Sequence, residues 1–200
     1  MGHTAEIRNV ILFFQGAFTF ILALALTESF KQFVADKAER EEDRHIHWER
    51  LWSLISFLFL IMPFFQGMSR YYYSEYLAAE IPDHYDFLLM FDGICFLTEA
   101  AIFFVMSRTL APVLWRRFYS SVLLLFMVDS VWAYVSWWVH SAPIAPWLIL
   151  NVISFLVYTI LLQENLFRDS RSAIIICCGG VVIRTMLDYY LMWSFYFPTA

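Results

Sequence analysis

The sequence predicts an all-α, polytopic membrane protein, a bundle of about six transmembrane helices. Three observations carry that prediction. The chain is 61% hydrophobic and only 16% charged, with a mean hydropathy of +0.62, far from soluble globular composition. Its apolar residues fall in blocks of about 17 to 25, the length that crosses a hydrocarbon core of ~30 Å. Between the blocks lie most of the charges and most of the prolines.

Taken in order, the first span is expected at 10–30. It lacks a small-residue cleavage site and is expected to be kept rather than removed as a leader. It flows into a charged segment, 31–50, that contains neither Gly nor Pro and is expected to stay helical outside the bilayer as a cytosolic hairpin. The second span is expected at 51–67 and the third at 87–107, separated by the polar and aromatic stretch SRYYYSEYLAAEIPDHYD. Pro112 marks a short turn before the fourth span, 118–139, and HSAPIAP breaks the chain before the fifth, 147–163. QENLFRDSRS precedes the sixth, 173–195. The whole of 1–200 is read as one membrane domain with no room for a separate soluble one.

Charge placement sets the expected orientation. Lys31, Lys37, Arg40, Arg44, Arg50, Arg108, Arg116, Arg117, Arg168 and Arg171 fall on one side, and only Arg8 and Arg70 on the other. That bias puts both termini outside a plasma (inner) membrane. Tyr71 to Tyr73, Tyr76, Trp137, Trp138, Trp147, Tyr189, Tyr190, Trp193 and Tyr196 are expected to form an aromatic belt at the outer face, with His140 among them as an interfacial histidine.

Five ionisable side chains stand where charge is most expensive: Asp92, Glu99, Asp129, Arg184 and Asp188. Each costs about 2.5 to 3.5 kcal/mol at a helix centre. Asp92 and Glu99, seven apart, share a helix face, and Arg184 and Asp188, four apart, can pair. One guanidinium can hold two carboxylates, so the remaining acids either carry a proton or line a wet cavity. That acidic excess suggests a polar path with Arg184 as its counter-charge. The competing reading is structural: buried polar groups lock helices together, as Gln15, Asn151, Ser154 and the small run Cys177 to Gly180 also can.

In the hairpin, Glu41, His45 and Glu49 recur every four positions and, with Arg44, offer a docking surface to a cytosolic protein. They are too few to complete a metal site, and Cys95, Cys177 and Cys178 have no CxxC spacing, so neither metal nor cofactor is expected. HExxH, GxSxG, Walker A and dinucleotide fingerprints are missing, no second intramembrane histidine suggests haem, and an enzyme is not expected. Phe91-Asp92-Gly93 resembles the Phe-Ser-Asp motif of small six-span potassium channels only in part, lacking the Ser and lying in the third span, so it assigns no family.

The expected function is therefore a small cation or proton channel or transporter, acting in the lipid bilayer as a homo-oligomer, with no nucleic-acid partner. The alternative is a membrane sensor or anchor subunit that recruits a cytosolic partner through 31–50.

Overall fold

Apolar runs without internal breakers fold as long helices. The computed structural model describes residues 2–38, 48–77, 85–140, 144–163, 166 and 169–198, with side chains left out for 2–4, 35–38, 85, 86 and 140. Six long helices follow one another: α1 (Gly2–Ala38), α2 (Trp48–Tyr72), α3 (Tyr85–Ser107), α4 (Trp115–His140), α5 (Ala145–Leu161) and α6 (Ser170–Leu191). A one-turn helix, α7 (Trp193–Tyr196), follows α6, and no strand occurs among the described residues. Five of the helices are long and apolar enough to cross a membrane. α5, at 17 residues, is the short one; at ~1.5 Å per residue it spans only about 25 Å.

The helix limits have local causes. Pro112 opens a short 3-10 turn, Pro112–Leu114, that feeds α4. α5 carries a proline in its first turn, where a missing N–H costs nothing. Asp169 caps α6 by accepting from the backbone N–H of Ser172 at 3.4 Å. α2 passes at its far end into a π-helical turn, Tyr73–Leu77.

α6 stops at Leu191, before the expected end of the sixth span at 195, because Met192 leaves helical geometry and α7 folds back. The fold-back buries Tyr196 and sets the rings of Phe195 and Tyr196 against Trp147 at centroid distances of 5.3 and 5.8 Å. A straight continuation would leave those aromatic faces without that packing.

The helices alternate in direction, and their contacts close a ring in the order α1, α3, α4, α5, α6, α2. α1 packs mainly on α3, where Phe14 lies over Gly93 so closely that a side chain there would collide with its ring. Phe57 and Phe64 of α2 meet Phe103 of α3 edge-on, at 6.1 and 5.5 Å. Large apolar side chains such as Phe13, Phe20, Phe87, Ile149, Ile183 and Met186 point outward. A face this apolar suits lipid, and its helices satisfy their own backbone groups as a bilayer requires. The chain is a multi-pass membrane protein.

Each end of the bundle has its own polar chemistry. At the end holding Arg50, Arg108, Arg116, Arg117 and Arg171, here the basic end, a cluster of neutral buried groups joins the helices. Ser56 and Tyr119 share a hydrogen bond of 2.9 Å, and Tyr119 donates to the Ile174 carbonyl at 3.3 Å. Tyr158 donates to the Cys177 carbonyl at 2.5 Å and stacks on Tyr119. The ionisable groups lie from the middle of the bundle toward the opposite, aromatic end.

Of the hairpin residues, Glu41, Arg44 and His45 lie outside the described residues, as do Arg40 and His47. Glu49 is half-buried in the first turn of α2, where its carbonyl accepts from the Ser53 hydroxyl at 3.1 Å. The side chain of His140 is likewise not described.

Candidate functional site: a buried acidic cluster

The site begins with a proline. Pro63, inside α2, has no N–H to give the carbonyl of Phe59 one turn back. Thr185 of α6 supplies the missing donor, its hydroxyl reaching that carbonyl at 3.1 Å. This bond ties α6 to α2 at the residue next to Arg184.

Arg184 is 3% exposed and organises one half of the site. Its Nη1 donates to Asp188 Oδ2 at 2.8 Å, one turn along the same helix. Its Nη2 donates to Asn151 Oδ1 at 2.7 Å, and the amide of Asn151 donates in turn to Asp129 Oδ2 at 2.6 Å. Asn151 of α5 therefore holds Arg184 and Asp129 apart while bonding both. The other oxygen of Asp188 accepts from the Tyr196 hydroxyl at 3.1 Å. Phe64 and Phe126 present ring faces to the guanidinium at 5.6 and 5.1 Å, a favourable cation–π arrangement.

Asp92 has separate quarters. It accepts from Tyr76 of the π-helical turn at 2.5 Å, from the indole of Trp132 at 2.9 Å and from Ser136 at 3.5 Å. The π-helical turn is what brings Tyr76 over α3. Trp132 packs edge-on against Tyr71 at 4.9 Å and lies 5.0 Å from Phe96, so its ring stands between Asp92 and the rest of the site.

Glu99 is the exception to this pairing. It is 1% exposed, and among the described residues its Oε1 has no hydrogen-bond partner. The same holds for Nε of Arg184. Glu99, Asp129 and Asp188 line one internal cavity together with Pro63, Gly67 and Trp132. The cavity has room for about one water molecule. Gly67 shapes it: a Cβ there would lie 2.7 Å from the Trp147 ring, so only a bare backbone lets that indole close the wall.

All five ionisable residues singled out in the sequence are thus buried inside the chain's own core. Arg184 and Asp188 form an ion pair, Asp129 joins them through Asn151, Glu99 shares their cavity, and Asp92 is caged apart. Asn151 proves a bridge between charges, whereas Ser154 donates to the Leu150 carbonyl of its own helix at 2.7 Å.

The expected aromatic belt divides. Trp137, Trp138, Tyr190, Trp193 and Tyr73 are exposed, but Tyr71, Tyr72, Tyr76, Trp147 and Tyr196 are buried. Tyr76 and Tyr196 turn inward because their polar tips have carboxylates to bond. Trp132, Ser136 and Tyr196 were not among the expected site residues. The first two carried a readable signal, since Asp129, Trp132 and Ser136 stand at i, i+3 and i+7 on one face of α4. Compared with known protein families, curated proteins and solved structures, this chain matches none of them.

Proposed function

We propose that this protein moves protons across a membrane along the buried carboxylates Glu99, Asp129 and Asp188, with Arg184 as the fixed counter-charge and Asp92, caged apart, off the route. The observation that carries the reading is Glu99: a carboxyl with an unpartnered oxygen, buried beside two more acids in a cavity the size of one water. Burying an unsatisfied ionisable group costs stability and serves no packing purpose that a leucine would not serve better. A carboxyl with a free oxygen beside a water-sized space can take up and release a proton without rearranging its neighbours.

The size of the cavity favours a proton over a larger cation. Among the described residues no three His, Cys, Asp or Glu side chains converge as a metal-holding group, and Arg184 repels a second cation from the same space. The basic end, with Arg50, Arg108, Arg116, Arg117 and Arg171, is assigned to the cytosol of a plasma (inner) membrane by the positive-inside bias, which leaves both termini outside. The acids face one another within one protomer, so the path needs no second copy, although a homo-oligomer remains compatible with it.

The test uses purified protein in liposomes loaded with a pH-sensitive dye, with a potassium diffusion potential driving proton entry. Wild type acidifies the lumen faster than empty liposomes, and Glu99→Gln does not. Equal, background rates for both overturn the proposal.

A further inference from the structure

A path of buried acids needs an exit, and at the aromatic end Asp188 has no surface of its own to offer one. Resting on the proton path proposed above, we infer that the C-terminal hook α7 is its plug and that the Tyr196 hydroxyl is the relay group between Asp188 and the aqueous face.

Asp188 has no exposed surface, one oxygen is held by Arg184, and the other meets the Tyr196 hydroxyl at 3.1 Å. The position of Tyr196 is fixed by its own backbone. Gln66 donates to the Tyr196 carbonyl at 3.4 Å, Arg70 donates from Nε to the Phe195 carbonyl at 3.2 Å, and Tyr189 steadies Gln66 through a bond of 3.1 Å. The rings of Tyr189 and Trp147 lie 4.7 and 5.8 Å from that of Tyr196 and close its sides. The Tyr196 hydroxyl faces Gly67, where an added Cβ would stand in ordinary contact with it at 3.7 Å. Burial, and after it the charge of Asp188, raises the Tyr196 hydroxyl above the ordinary tyrosine range. It therefore stays a neutral donor.

Inward transfer is a concerted exchange. The O–H bond of Tyr196 breaks as its proton passes to the carboxylate of Asp188, and a new O–H bond forms with a proton from hydronium when water reaches the hydroxyl past the hook. Tyrosine is neutral before and after, no electrons change hands, and rotation of the hydroxyl resets the relay. Outward transfer runs the same steps in reverse.

Tyr196→Phe keeps the ring and its packing and removes only the relay oxygen. In the dye-loaded liposomes its proton flux is expected to fall by about tenfold or more. Thermal unfolding of the same sample reports whether the hook still packs. Where that variant fails to fold, difluorotyrosine at position 196 keeps the shape, makes the hydroxyl more acidic and is expected to shift the pH profile of flux. A purely structural tyrosine moves neither reading. Wild-type flux with full activity in Tyr196→Phe, or an unshifted profile with difluorotyrosine, overturns the relay while Glu99→Gln still decides the path itself. Silence of the wild type overturns both.

Discussion

At the basic end, Ser56, Tyr119 and Tyr158 of α2, α4 and α5 direct their hydroxyls to each other and to the carbonyls of Ile174 and Cys177 on α6. From the middle of the bundle toward the aromatic end, α3, α4 and α6 bring together Asp92, Glu99, Asp129, Arg184 and Asp188. Both clusters join helices inside the bundle, and both are out of contact with solvent. The first does so with neutral groups whose bonds all close. The second carries more acids than its one guanidinium can hold, and among the described residues leaves an oxygen of Glu99 unbonded. Helix locking is available at the lower cost of hydroxyl-to-carbonyl bonds, as the basic end demonstrates. The proton path proposed above gives the charged cluster a purpose beyond locking.

The comparison breaks first at function. Glu99→Gln is expected to lower proton flux by about two orders of magnitude or more, while Tyr119→Phe leaves it unchanged; dye-loaded liposomes read both. Next in size is Arg184→Met, expected to cost about 3 to 5 kcal/mol because Asp188 and Asp129 lose their cation while still buried. Adding Asp188→Leu is expected to restore part of that loss, as measured by reversible unfolding in detergent or bicelles. Gly67→Ala should cost about 1 to 3 kcal/mol by pushing Trp147 out of the cavity wall.

Smaller effects sharpen the contrast. Thr185→Val leaves the Phe59 carbonyl without a donor, for about 1 kcal/mol. In a Pro63→Ala background that cost should vanish, because the new N–H at position 63 bonds the same carbonyl. Ser56→Ala, at the neutral end, is expected to cost about 0.6 kcal/mol, the usual size of one hydrogen bond between membrane helices.

Hydropathy and spacing made the class and the charged positions legible. The i, i+4 separation of Arg184 and Asp188 translates directly into their 2.8 Å contact. Depth along a helix follows from counting residues, but the direction a side chain faces depends on neighbours that one sequence does not name. Tyr76 and Tyr196 therefore read as interfacial belt residues and lie instead against Asp92 and Asp188. Asn151 read as helix glue because its two charged partners sit on other helices, α4 and α6. The break at Met192 was hidden for a related reason: apolar residues continue through it, and what turns the chain is the packing of Phe195 and Tyr196 on Trp147.

The most direct test places Glu99→Gln beside Tyr119→Phe in liposomes of identical lipid and protein content and compares their proton flux with wild type. The account predicts flux lost in the first and kept in the second, although each removes one polar group from one end of the same bundle. Flux that is equal in all three proteins, or that falls as far in Tyr119→Phe as in Glu99→Gln, would contradict it.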